Sequence, residues 1–139
     1  MTTRQDARSF VTIMVFIAVF ALVLRITIDQ VIRLNISSNE SGAQTTLKLI
    51  STALENYSRN NQGVFPSNIP LLIKTKPSYL DEDYISDSPI KGYNYSCSRL
   101  EPNGYSCSAT PVKCKLTGNA IYTISTGGLL TSEESSKKD

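Results

Sequence analysis

The chain has 139 residues, which suggests one small domain with one additional segment. Its formal net charge of +2 produces no strong electrostatic field, so nothing favours a nucleic-acid partner. Histidine is absent, which removes the residue most used in acid–base catalysis and the commonest metal ligand. No phosphate-binding or dinucleotide-binding fingerprint is present. We therefore expect no enzyme activity, no metal, no cofactor and no small-molecule substrate.

The first predicted element is an apolar helix near the N-terminus. Residues 9–24 carry no charge, and at ~1.5 Å per residue they span about 24 Å. If Arg25 extends its side chain toward the headgroups, the stretch continues to Ile28 and reaches about 30 Å, the thickness of a hydrocarbon core. A cleaved signal peptide needs small residues at its cleavage site, and Val23-Leu24-Arg25 does not supply them. We predict a retained membrane-spanning helix.

The flanks of this helix bear on its orientation. Two arginines precede it, and Arg25 and Arg33 follow it, so the charge asymmetry is small. A short N-terminal tail stays easily in the cytoplasm, and the downstream cysteines suit an oxidising compartment. We expect the N-terminus inside the cell, with residues 1–8 as a cytoplasmic tail and residues 9–36 as the membrane helix and its extension. The C-terminal domain, residues 37–131, then lies on the outer side of the membrane.

A second helical segment is predicted at residues 39–61. Ser37 and Glu40 stand at the spacing of a capping box, so either a new helix begins here or one long helix bends. Ser51 and Glu55 are expected to point away from the apolar face. That face is a single stripe in which an apolar residue recurs every three or four positions: Ala43, Leu47, Ile50, Leu54 and Tyr57.

The connection that follows comprises residues 62–90. Gly63, near its start, can cap the helix in a left-handed conformation. Its four prolines forbid a long helix or a central strand. The segment also carries an acidic cluster. The spacing of these carboxylates matches no calcium-binding loop, so a solvated loop is favoured and calcium binding stays open. The cluster consists of Asp81, Glu82, Asp83 and Asp87.

Residues 91–131 are predicted to form an antiparallel sheet of three to four strands. The turn sequence Glu101-Pro102-Asn103-Gly104 joins the first two strands as a hairpin, and two glycines precede a final apolar pair. With the helix stripe covering one sheet face, the fold class is α+β. Residues 132–139 are expected to be a flexible tail. The segments with strand-like alternation are residues 92–98, 105–109 and 120–125.

Several short motifs, in this order along the chain, resemble those of the type IV pilin and type II secretion pseudopilin superfamily. Those proteins have an apolar N-terminal helix that runs into an amphipathic helix packed on an antiparallel sheet. The resemblance implies a structural, non-catalytic protein whose partners are the membrane and other pilin-like subunits or the assembly platform of a pilus or type II secretion system. It also implies a single-pass protein of the bacterial inner membrane whose C-terminal domain is periplasmic. The motifs are NESGA at 39–43, GVFP at 63–66, GY at 92–93 and at 104–105, ATP at 109–111, and GGL at 127–129.

The N-terminal motif departs from the superfamily's pattern. Pilins are cut after the glycine of a G-F-T-L-I-E-type motif, and the glutamate neutralises the new amine of a neighbouring subunit inside the bilayer. Here Ser9 precedes Phe10 at the cut, and Met14 stands at the glutamate position. An uncut chain has no new amine, so it needs no glutamate to neutralise one. The joint absence of the glycine and the glutamate therefore agrees with a chain that is not cut. The alternative function is an uncleaved, membrane-tethered binding module of the envelope that does not polymerise.

The three cysteines, Cys97, Cys107 and Cys114, all lie in the predicted exported domain. Cys97 and Cys107 can face each other across the hairpin, and Cys107 and Cys114 can close a short loop. Because short loops at this point of pilin-like sheets are often stapled, the resemblance favours Cys107 with Cys114, and Cys97 with Cys107 is the alternative. No CxxC motif is present, which disfavours a redox enzyme.

Overall fold

The structure, a computed structural model, describes residues 3–135, with side chains from Ser9 onward. The chain divides into two compact units between Leu34 and Asn35, and helix α1 (Thr3–Asn60) contributes to both. The predicted α+β class is confirmed, with a sheet of four strands. After α1 come helix α2 (Pro70–Lys74) and the strands β1 (Tyr93–Glu101), β2 (Gly104–Pro111), β3 (Ala120–Ser125) and β4 (Leu129–Glu134).

Helix α1 passes through Ser37 and Glu40 as helix interior, so of the two alternatives a new helix start is wrong and one long helix is correct. The polar side chains of this segment make tertiary contacts instead of a cap. The Glu40 carboxylate accepts a hydrogen bond from the backbone N–H of Asn119 at 2.8 Å. The Asn39 amide donates to the Thr117 carbonyl at 3.0 Å. A capping-box spacing cannot distinguish these roles, because the same side chains serve either purpose.

The predicted apolar stripe of α1 forms one wall of the core. Ala43, Leu47, Ile50 and Leu54 are completely buried, while Tyr57 is partly buried at the edge. At ~1.5–3 kcal/mol for each large apolar side chain removed from water, this wall is a major source of stability. The facing wall consists of alternate sheet residues, as the period-two pattern predicts: Tyr93, Tyr95, Tyr105, Cys107, Ala109, Tyr122 and Ile124.

The C-terminus of α1 is followed by a left-handed turn made by Gln62, with a φ of +58°, and by Gly63, for which this conformation was predicted. The Gly63 N–H donates to the Ser58 carbonyl at 2.8 Å, and Gly63 has a φ of +83°, a left-handed conformation that costs glycine little. The chain then turns back so that Phe65 packs edge-on against Tyr105, with ring centroids 5.3 Å apart. The connection is thereby fixed to both the helix and the sheet.

The four strands are antiparallel and lie in the order β1-β2-β3-β4. The predicted hairpin is confirmed, and a bulge in β1 shifts the register between Cys97 and Arg99. Strand β4 pairs with β3 as far as Glu134, opposite Ala120, so residues 132–134 belong to the sheet and not to a flexible tail. Backbone pairing with β3 does not require apolar side chains, which explains why a charged sequence misled the prediction. Residues 136–139 lie outside the described part.

Candidate functional site

The most distinctive surface of the first unit is its apolar helix. Every side chain from Ser9 to Val31 is exposed, and Phe16 exposes 71% of its surface. A helix that is apolar on all sides belongs in a protein core or in a membrane. Exposed apolar surface of this extent marks a membrane or protein interface. In the described part of the chain, α1 is long and apolar enough to cross a bilayer, which is compatible with a single-pass anchor.

The polar groups near the end of this stretch are compatible with that environment. Thr27 donates its hydroxyl hydrogen to the Val23 carbonyl at 2.8 Å, so the helix itself satisfies the group. Arg25 follows the uncharged run 9–24 and has a long stem that can carry its charge toward headgroups. Residues 9–28 at ~1.5 Å each give about 30 Å, enough to cross the hydrocarbon core.

Ser9, Phe10 and Met14, the three positions compared with the pilin cleavage motif, lie on this exposed helix. Ser9 is exposed, Phe10 exposes 62% of its surface and Met14 exposes 55%. Met14 is an apolar thioether at the position where the pilin motif has a carboxylate. The first acidic residue after Ser9 in the sequence is Asp29, so residues 9–28 offer no carboxylate to neutralise an amine. The three positions therefore continue the apolar surface and form no charged site.

The disulfide joins Cys97 to Cys107, which lie opposite each other in the β1–β2 register. The favoured pairing of Cys107 with Cys114 is therefore wrong, and the alternative is correct. Cys114 lies beyond the end of β2, and its thiol donates to the Ser135 carbonyl at 2.7 Å. Strand register thus decided the pairing, because direct opposition across the ladder brings Cys97 and Cys107 together.

Removal of this disulfide through Cys97→Ala with Cys107→Ala is expected to destabilise the head, our name for the unit that begins at Asn35. For a sequence separation of 10 residues, loss of the loop-entropy contribution amounts to about 2–3 kcal/mol. Thermal unfolding of the full chain in detergent, followed by circular dichroism, measures the change. Cys114→Ala is the matched control and is expected to shift the transition far less. Equal shifts for the two proteins would show that the disulfide is not what holds the hairpin.

A polar network connects α1 to the sheet through Tyr105. The Ser51 hydroxyl lies 2.7 Å from the Tyr105 hydroxyl, which donates to the Glu55 carboxylate at 3.0 Å. The same Glu55 oxygen accepts the N–H of Gly127 at 2.7 Å. Ser51 is only 4% exposed, so the expectation that these two side chains point away from the core is wrong. Each lies one position after a stripe residue, and the long Tyr105 side chain reaches both.

Burial raises the pKa of several tyrosines in the second unit. The pKa values of Tyr93, Tyr95 and Tyr105 are raised mainly because burial disfavours the phenolate. Burial, together with a hydrogen bond to Asp81, raises the pKa of Tyr84 to about 12. A raised pKa in the folded state stabilises the fold below pH ~10, the ordinary value for tyrosine, and the contribution is lost as the pH rises further.

The free energy of unfolding is therefore expected to fall as the pH rises above about 10. Between pH 10 and 12 it should fall less steeply for Tyr84→Phe than for the wild type, because one titrating phenol has been removed. Denaturant unfolding of both proteins at several pH values measures the two slopes. Identical slopes would contradict the assignment to Tyr84, and comparison at pH 7 isolates any loss caused by the missing hydroxyl alone.

The acidic cluster of the connection uses its carboxylates locally. Asp81 accepts the Tyr84 hydroxyl at 2.9 Å, and Asp83 accepts the Ser86 hydroxyl at 2.9 Å. Among the side chains that the structure describes, from Ser9 to Ser135, no three His, Cys, Asp or Glu residues are grouped so that they could hold a metal ion. Between the cluster and α1 lies an open cleft of about 460 Å³, lined by hydroxyl groups, Glu82 and Lys91 and also by the apolar side chains of Leu49 and Ile90.

Comparisons with known proteins place the fold in context. No protein-family model matches this sequence, and neither does any curated protein. Among solved structures, one similar chain is a pilin. It is the non-core minor pilin PilV of Neisseria meningitidis, with 18% sequence identity and a TM-score of 0.49. The match covers 77% of the present chain and 94% of the PilV chain, and it concerns the fold alone.

Proposed function

We propose that this chain is a pilin-like membrane protein that is anchored through residues 9–28 and acts by helix packing and protein–protein contacts. The observation that carries the proposal is the apolar surface from Ser9 to Val31, which is exposed all round the helix. The unit that begins at Asn35 has its own buried core. A helix surface that is apolar all round is suited to contact with lipid or with the apolar helices of neighbouring subunits.

The finer assignment rests on the sequence motifs. The segments at 39–43, 63–66 and 127–129 support a minor pilin or pseudopilin of a type IV pilus or type II secretion-type assembly. The partners are then other pilin-like subunits or the assembly platform. Residues 1–8 lie in the cytoplasm and the domain that follows the helix is periplasmic, in a bacterial inner membrane.

In this proposal the protein differs from pilins because it lacks their cut site. Ser9 and Met14 replace the residues that pilin processing and packing require. An uncut chain keeps Arg4 and Arg8, and drawing these charges into a filament core would carry a large desolvation cost. We infer that the protein associates with pilin-like subunits in the membrane and does not enter the filament shaft.

A variant with a restored motif tests this proposal. Ser9→Gly with Met14→Glu, expressed with a prepilin peptidase, is expected to lose residues 1–9, whereas the wild type keeps them. Ser9→Gly with Met14→Leu is the matched control, because it restores the cut site and leaves position 14 apolar. Crosslinking in native membranes should then recover pilin-like subunits with the uncut wild type. A wild type that is cut would contradict the uncleaved state, and absence of pilin-like partners would contradict the assembly role.

The second candidate is a membrane-tethered binding module that never polymerises. The cleft between α1 and the connection favours it, since it offers Ser38, Thr45 and Lys91 as polar contacts. Ligand pockets are usually lined by apolar and aromatic side chains with few polar groups. Polar and apolar side chains line this cleft alike, with Leu49 and Ile90 among the apolar ones, so it is less apolar than such pockets. Packing through the apolar helix is therefore the better supported function.

A further inference from the structure

The β2–β3 loop, residues 112–119, displays apolar and basic side chains together. Val112 exposes 45% of its surface and Leu116 exposes 60%. Lys113 and Lys115 lie between these two residues in the sequence and are also exposed. Apolar side chains flanked by lysines are typical of surfaces that lie at a membrane interface, where the stems stay in the apolar layer and the charges reach the headgroups.

The loop is held in one conformation by its own hydrogen bonds. The Lys113 N–H donates to the Thr117 hydroxyl at 3.0 Å, and the Thr117 N–H donates to the Lys113 carbonyl at 2.9 Å. Gly118 lies so close to the Tyr93 phenol that a side chain there would collide with it. Val112 and Leu116 are therefore presented to the outside by a fixed loop.

The contacts of this loop place it at the start of the second unit. Asn39 donates to the Thr117 carbonyl, and Glu40 accepts the Asn119 N–H. These two helix residues follow Ile28, the last residue of the proposed span, by eleven and twelve positions in the sequence. Twelve residues span at most about 40 Å, so a chain anchored by residues 9–28 keeps the loop within that distance of the hydrocarbon core.

The two lysines of the loop are not neutralised by ion pairs within the protein. Neither Lys113 nor Lys115 pairs with any acidic side chain that the structure describes, from Ser9 to Ser135. Three carboxylates oppose them: Glu40, which is occupied by the Asn119 N–H, and Glu133 and Glu134 at the end of β4. The two loop lysines thus remain available to an external phosphate.

We propose that the β2–β3 loop docks on anionic lipid headgroups of the bilayer that anchors the chain. Lys113 and Lys115 contact the phosphates, and Leu116 and Val112 enter the interface. The inference rests on the proposed membrane anchorage and adds a second contact that holds the head against the membrane. Each lysine near an anionic surface contributes about 1 kcal/mol, which corresponds to roughly a five-fold change in the docking equilibrium.

Because the chain has no tryptophan, Leu116→Trp provides a single fluorescent reporter. The full-length variant is reconstituted in vesicles of phosphatidylcholine alone or of equal parts phosphatidylcholine and phosphatidylglycerol, each with brominated lipid. We expect a blue shift and quenching in the anionic vesicles.

Three further variants test which residues are responsible. Lys113→Gln with Lys115→Gln should lower docking about 30-fold. Lys74→Gln with Lys76→Gln, an exposed pair at the same spacing, should change nothing. Val64→Trp, which lies beyond the other end of α1, should stay unquenched.

Flotation of the vesicles separates this proposal from the membrane anchorage. A protein that floats with an unquenched Trp at position 116 would overturn the docking and leave the anchor intact. Quenching that is equal in both kinds of vesicle, or unchanged by the loss of the two lysines, would overturn the role of anionic lipid. A protein that does not float would overturn the anchorage itself.

Discussion

Arginines introduced at Phe16 and Phe20 are expected to abolish membrane integration. These residues lie near the middle of the uncharged run 9–24 and expose 71% and 65% of their surfaces. On insertion scales, replacing a phenylalanine by arginine near the centre of a span costs about 3–4 kcal/mol, so the pair costs roughly 6–8 kcal/mol. The partition equilibrium should therefore fall by a factor on the order of 10⁴ or more. Extraction of membranes at alkaline pH, with immunodetection of pellet and supernatant, measures the loss.

The matched control places the same two arginines at Val31 and Leu34. These side chains are also exposed, at 50% and 70%, but they lie beyond the stretch that spans the hydrocarbon core. We expect the control to remain in the membrane pellet. If both double variants remain there, or both leave it, the membrane boundary assigned to residues 9–28 is incorrect.

Truncation of the core stripe is expected to have the largest effect on the stability of the head. Leu47 is completely buried between α1 and the sheet, and Leu47→Ala should lower the free energy of unfolding by about 2–5 kcal/mol through lost burial and the cavity left behind. For a domain of this size, that loss corresponds to a melting temperature lower by on the order of 10–25 °C. Circular dichroism of the full chain in detergent records the transition.

Leu49→Ala is the control, because it makes the same chemical change two positions away on the same helix. Leu49 exposes 48% of its surface, and we expect a change within about 0.5 kcal/mol. Alanine is a better helix former than leucine, so loss of helix propensity explains neither result. A Leu47→Ala protein as stable as Leu49→Ala would contradict packing of the stripe against the sheet.

The sequence predicted the elements whose patterns repeat. The 4-3-4-3 spacing from Ala43 to Tyr57 identified the buried helix face, because only one side of a helix can meet the sheet. Alternation along residues 92–98 and 105–109, with a Pro-Asn-Gly turn between them, identified the hairpin and its inward tyrosines. Gly63 marked the end of α1 because a left-handed cap favours glycine.

Features that depend on distant contacts were not predictable from local patterns. The capping box at Ser37 failed because Glu40 bonds to Asn119, which lies 79 positions away. The roles of Ser51 and Glu55 depend on Tyr105, a residue on another element. The disulfide depends on strand register, which composition does not fix, and resemblance pointed to the wrong partner for Cys107.

The exposed apolar helix predicts an integral membrane protein. Ser9 and Met14 predict that the protein keeps its N-terminal residues 1–9. The most direct measurement is the intact mass of the wild-type protein extracted with detergent from alkali-washed membranes. We expect an integral membrane protein whose mass includes residues 1–9. A mass that lacks residues 1–9, or recovery of the protein in the alkaline supernatant, would contradict it.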